Sequence, residues 1–185
     1  MKPFLFIMIL LLSMLSACSE TKNHETEEVI EASSIPYAVS VTLNDKNNHK
    51  IGTATLTEKP DGVQISINAD GLSFGKHGFH IHEFGKCEPP NFTSAGGHMN
   101  PEGKEHGTLN PKGSHAGDLP NLIVNKDGSV KQDIFIQNVT LKAGKHSLIK
   151  SEGASLIIHS NEDDLKSSPS GNAGERIACG IISKK

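Results

Sequence analysis

The sequence is poor in the features that most partner-binding surfaces need. Aromatic residues make up 4% of its 185 residues, and no run of lysine or arginine is dense enough to track a phosphate backbone. With a formal charge of −3, this argues against nucleic acid as a partner, and an anionic substrate would need local steering. There are three cysteines, none in Cys-x-x-Cys or Cys-x-x-His spacing, so thiolate zinc sites have little basis. Arginine is almost missing: of 18 basic residues, all but Arg176 are lysine. Sustained helical periodicity is absent, and the apolar run Phe4–Leu12 is too short to span a bilayer.

That run follows Lys2 and precedes Leu15-Ser16-Ala17-Cys18, the pattern of a signal peptide over residues 1–17. Leu-Ser-Ala-Cys resembles a bacterial lipoprotein box, in which the cysteine is lipidated and becomes the mature N-terminus; cleavage at an ordinary small-residue site is the alternative. Lipidation of Cys18 predicts an extracytoplasmic protein anchored to the bacterial cell membrane. Loss of Lys2 with the signal leaves 17 cations against 21 acids. It also leaves Cys87 and Cys179 free to pair in an oxidising compartment. Residues 18–36 are polar, acidic and aperiodic, and read as a flexible tether spanning roughly 20 to 25 Å.

From Tyr37 to Lys185 the pattern is that of one domain. Apolar and polar residues alternate over 37–44, 50–57, 62–69 and 78–84, and further strands are expected at 121–125, 129–137, 154–159 and 177–183. Turn signals fall at Asp61-Gly62 and Asp127-Gly128. Many short strands without helices predict an all-β fold, a Greek-key antiparallel sandwich or barrel of about eight strands. Two long segments, 85–120 and 160–175, lack strand character, and loops of such length in a compact domain are commonly functional.

Histidine is what the chain does have, with ten residues. His80 and His82 lie two apart on a strand, so both rings emerge on one face and can converge on an ion, although two solvent-facing histidines would look the same. His98, His106, His115 and Asp118 follow within the first long segment, 85–120. Three imidazoles and one carboxylate make a closed tetrahedral set, suited to a structural zinc. Imidazole-rich sets favour zinc and copper over magnesium or calcium. His24, His49 and His146 have no partners at ligand spacing, and the sequons at Asn91 and Asn138 carry little weight in a bacterial lipoprotein.

The segments GFHIHEFG, SAGGHMNP, KEHG, HAGDL, IIH with the following NEDDL, and GNAGERIACG resemble, in order, the copper/zinc superoxide dismutase family, over Tyr37–Lys185. The resemblance implies a β-sandwich fold and the disproportionation of superoxide to dioxygen and hydrogen peroxide. It implies copper on His80, His82, His98 and His159, and zinc on His98, His106, His115 and Asp118, with His98 shared. It makes Asp163 the acceptor linking one imidazole of each set, His77 a structural hydrogen-bonding residue, and Arg176 the group that holds superoxide. Cys87 five residues after His82, and the short, weakly charged DLKSSPSGNAGER, depart from the eukaryotic pattern toward a bacterial form, monomeric or homodimeric. The rival expectation is a non-enzymatic copper- or zinc-binding lipoprotein, which the complete ligand set disfavours.

Overall fold

The computed structural model describes residues 37–183; the predicted signal peptide, Cys18 and the tether lie outside them. The strands are β1 Ala38–Asp45, β2 Lys50–Lys59, β3 Gly62–Ala69, β4 Gly75–His77, β5 Phe79–His82, β6 Leu122–Val124, β7 Val130–Gln137, β8 Ala154–His159 and β9 Arg176–Ile182. Seven form an antiparallel sheet in the order β5-β8-β9-β1-β2-β3-β7, and β4 pairs with β6 in a two-stranded ribbon. Because β4 runs directly into β5 and β6 turns into β7 at Asp127-Gly128, the ribbon bridges the open ends of the sheet. Wiring that places β3 beside β7 and β1 beside β9 is Greek-key, as the strand pattern predicts.

One expected strand, 78–84, is in fact the second half of a split pair. Gly78 stands between β4 and β5, and there the chain leaves the ribbon for the large sheet. Its N–H donates to the Asn161 carbonyl at 2.8 Å and its carbonyl accepts from His159 N–H at 2.8 Å. A side chain there would place its Cβ 2.7 Å from that of Ala173, so only glycine lets the Ser160–Glu175 segment pack this close.

Alternation explains the core. Val39, Val41 and Leu43 of β1, Ala54 and Leu56 of β2, Val63, Ile65 and Ile67 of β3, and Ile134 and Ile136 of β7 are buried, while their neighbours face outward. Each fully buried Val, Leu or Ile contributes about 1.5 to 3 kcal/mol by leaving water. Strands β5 and β8 differ in being buried on both faces. Phe79, Ile81, Leu156 and Ile158 point into the main core, and the opposite faces carry His80, His82, Ile157 and His159, covered by the two long loops. A second small core of Phe92, Ala95, Ile157 and Cys179 seats the first loop on the barrel wall.

Cys87 and Cys179 form a disulfide with a Cα–Cα distance of 5.7 Å across 92 residues, which rules out their use as zinc ligands. Closing a loop of that length restricts the unfolded chain, an effect of about 4 to 5 kcal/mol on the chain-entropy view. The Cys87→Ser/Cys179→Ser variant is therefore expected to lose about 4 to 5 kcal/mol of unfolding free energy. Denaturant titration of the two proteins at equal metal content measures the difference.

Candidate metal centre

The site lies between the outer face of β5 and β8 and the two covering loops. His80 and His82 project from β5 on the same side, as their two-residue spacing predicts, and His159 ends β8. His98 is brought beside them by an isolated antiparallel bridge between His82 and His98, and Asp118 by another to His80. All these side chains are buried.

Two donor sets result. His80, His82, His98 and His159 each offer a ring nitrogen, and the four lie within 4.8 Å of one another. His98, His106, His115 and Asp118 form a second set of the same compactness. In this second set His98 Nδ1, His106 Nδ1 and His115 Nδ1 lie 2.8, 2.9 and 3.1 Å from Asp118 Oδ1, and His98 Nδ1 is 3.3 Å from His115 Nδ1. Donors about 2.0 to 2.1 Å from a tetrahedral ion stand about 3.3 Å apart, so the spacing suits zinc. The other carboxylate oxygen, Asp118 Oδ2, accepts from the N–H groups of Gly107 and His115 at 2.8 and 3.0 Å, which fixes the side chain.

The decisive observation concerns unpaired atoms. Among the described residues, the buried side-chain nitrogens without a hydrogen-bond partner are His80 Nδ1, His82 Nε2, His98 Nε2 and His159 Nε2, one from each member of the first set. Buried polar atoms are rarely left so, and four together are explained by a ligand that accepts lone pairs. Their opposite nitrogens are engaged: His80 Nε2 with Asp163 Oδ2 at 2.7 Å, His82 Nδ1 with the Gly96 carbonyl at 3.0 Å, His159 Nδ1 with the Gly174 carbonyl at 3.3 Å, and His98 Nδ1 in the second set. Such bonds fix each tautomer and aim the free lone pair. Burial keeps the rings neutral, depressing His82 to about 2, His159 to about 3 and His98 to about 4.

Asp163 joins the two sets. Its Oδ2 meets His80 Nε2 at 2.7 Å and its Oδ1 meets His106 Nε2 at 3.0 Å. Burial opposes its charge, but hydrogen bonds from His106 and His80 outweigh this and hold its pKa below the ordinary range. Two residues not anticipated from sequence secure it. Asn121 forms a two-way amide clamp with the Asp163 backbone, each bond 2.8 Å. Gly171, at φ +63, passes so close that any side chain would strike the Asp163 carboxylate and His106. The closely spaced glycines of SGNAG are a local signal for a tight turn; nothing local marks Asn121.

Arg176 opens β9 beside His159 and is half-buried. Its Nη1 donates to the Phe92 carbonyl and its Nη2 to the Gly96 carbonyl, both at 2.7 Å. With His82, His98 and His159 it lines an open cleft of about 840 Å³. His77 lies apart from both sets: its Nδ1 donates to the His159 carbonyl at 2.6 Å, and Ser73 Oγ lies 3.1 Å from its Nε2. His49 and His146 each pair with one surface carboxylate, Asp45 and Glu102, and His24 is outside the described residues.

The family model described as copper/zinc superoxide dismutase (SODC) matches residues 50–182. The chain belongs to the copper/zinc superoxide dismutase family. It is 54% identical over 134 residues to superoxide dismutase (Cu-Zn) 2 of Aquifex aeolicus, covering 71% of this chain and 78% of that protein. Among solved structures, a double mutant of a SOD-like protein from Bacillus subtilis superimposes with a TM-score of 0.76 at 43% identity, covering 78% of this chain and 97% of that one. The Cu/Zn superoxide dismutase of Brucella abortus gives a TM-score of 0.66 at 31% identity, over 79% and 99% of the two chains.

The second set carries a pH signature. Burial alone would lower the His106 pKa, but hydrogen bonds to Asp118 and Asp163 outweigh it and raise the group to about 9 in the metal-free protein. His106 is therefore protonated at neutral pH, and the proton must leave before Nδ1 and Nε2 can serve as ligand and donor. Zinc binding to the metal-free protein is expected to strengthen about tenfold per pH unit from pH 7 to 9 and to level off above. Chelator competition across this range measures it; an affinity independent of pH would show that binding zinc displaces no proton from His106.

Proposed function

We propose that this protein is a superoxide dismutase, converting two superoxide ions and two protons into dioxygen and hydrogen peroxide. His80, His82, His98 and His159 are the residues to hold copper, and His98, His106, His115 and Asp118 to hold zinc. Bound there, copper supplies one-electron redox chemistry and zinc a fixed positive charge. The observation that carries this reading is the set of four unpaired imidazole nitrogens, three of them on residues that line a cleft whose wall holds the chain's one arginine.

The protein's own part is positioning and proton supply. Arg176 presents a planar fork of donors to a small anion, and its two bonds to backbone carbonyls leave it little freedom to turn away. His98 Nε2 is buried at the cleft without a hydrogen-bond partner, placed so that, when it is not engaged by copper, it can hold a proton and pass it to the reduced substrate. Asp163 keeps His80 and His106 in register, so the two metal sets cannot shift independently.

Protein loaded with copper and zinc is expected to dismutate superoxide, and Arg176→Ala to lower kcat/KM by at least about tenfold, the worth of a charge-assisted hydrogen bond. Copper content should stay unchanged. Loaded protein no more active than buffer would sink the enzyme reading, and loss of copper from the variant would show that Arg176 has a different role.

The N-terminal pattern supports export and anchoring: residues 1–17 as signal, Cys18 as the lipidated residue, 18–36 as tether, and 37–185 as the catalytic domain outside the cytoplasm. In cells labelled with palmitate, the unaltered protein should carry label and fractionate with membranes, while Cys18→Ser should do neither. A Cys18→Ser variant that stays with membranes would refute the lipid anchor.

A further inference from the structure

One carboxylate at the cleft has no role in the scheme above. Glu83 directly follows His82, is half-buried, and lines the same cleft as Arg176, His98 and His159. An acid in a site for an anion works against the incoming charge, so its presence calls for a compensating gain.

The gain lies in one peptide unit, the bond joining Gly96 to Gly97. Its carbonyl end, Gly96 O, accepts from His82 Nδ1 at 3.0 Å and from Arg176 Nη2 at 2.7 Å. Its amide end, Gly97 N, donates to Glu83 Oε1 at 3.0 Å, and the Glu83 N–H returns a bond to the Gly97 carbonyl at 3.0 Å. A peptide unit is planar, so fixing its N–H fixes the direction of its C=O. Between two glycines the plane meets little steric resistance to rotation, and the carboxylate restrains it. Hydrogen bonding to an ionised acceptor also polarises the unit and makes Gly96 O a stronger acceptor.

We propose that Glu83 is a positioning residue that acts through the Gly96–Gly97 peptide, holding His82 in the tautomer with Nε2 free and Arg176 facing the cleft. This rests on the assignment of the four-histidine set to copper and of Arg176 to the anion. Glu83 contributes two opposed effects: its charge weakens anion binding, and its hydrogen bond strengthens it.

Three variants separate the two. Glu83→Gln keeps the acceptor and removes the charge, Glu83→Asp keeps the charge and withdraws the acceptor by one methylene, and Glu83→Ala removes both. In copper- and zinc-loaded proteins, azide affinity is read by titration of the copper absorption, and metal content is measured on the same samples. Azide is expected to bind Glu83→Asp about threefold to tenfold more weakly than the unaltered protein, and Glu83→Ala more weakly than Glu83→Gln by a similar factor, the span of one hydrogen bond. Should Glu83→Ala fail to fold, the comparison with Glu83→Asp decides alone. In the metal-free proteins, hydrogen exchange at the Gly97 amide should accelerate in Glu83→Asp and Glu83→Ala but not in Glu83→Gln, which reads the bond independently of metal. Equal azide affinities within each charge-matched pair would overturn the positioning role while leaving the copper assignment intact. Unaltered protein that holds no copper would overturn that assignment, and this role with it.

Discussion

A buried polar atom left without a partner costs about 1 to 3 kcal/mol, and this protein holds four such nitrogens in one cluster. No single local interaction offsets that, so the surrounding structure must hold the imidazoles where they would not gather unaided. The barrel provides the wall: β5 and β8 are the strands buried on both faces, with Phe79, Ile81, Leu156 and Ile158 anchored in the core beneath the histidines. Asp163 and Asp118 provide the only buried negative charges at the site, each hydrogen-bonded to more than one imidazole. Ligands that bind only the folded state then convert this local cost into stability, because an ion that engages those lone pairs favours the conformation that presents them.

How much of this could be read from the sequence depended on whether the signal was local. Strands β3 and β8 were legible to the residue, because alternation in GVQISINA and the apolar run of ASLIIH need no knowledge of neighbours. The break at Gly78 was not, since HGFHIH keeps the same period through the glycine and the change of sheet is dictated by Ala173, far along the chain. The same division applies to the site. Histidines are rare enough that their types and intervals stand out, and the chain's single arginine stood out by composition. Asn121 and Glu83 are ordinary residues in ordinary places; they acquire roles only because Asp163 and Gly97, 42 and 14 residues away, fold against them.

The disulfide, the first long loop and Arg176 make one mechanical unit. Cys179 lies three residues after Arg176 on β9, and its partner Cys87 begins the loop that supplies both carbonyls gripping the guanidinium, those of Phe92 and Gly96. Phe92 and Ala95 pack with Ile157 and Cys179, so the loop is seated by apolar contact as well as by the covalent tie. A surface arginine normally keeps much of its rotamer freedom, and ordering it on binding an anion would weaken that binding. Here the ordering takes place on folding.

The same economy bears on a chain whose net charge is negative. A diatomic anion approaching a surface with more acids than bases gains little from long-range attraction, and salt screens what remains beyond about 8 Å. Discrimination then has to come at short range, from a fixed cation with directed donors in a cleft bordered by neutral rings. Burial supplies that neutrality: His82, His98 and His159 stay uncharged far below physiological pH, so none of these three rings competes with Arg176 for an anion. A lysine in its place would carry the charge but could not grip two carbonyls in one plane and still direct donors toward the anion.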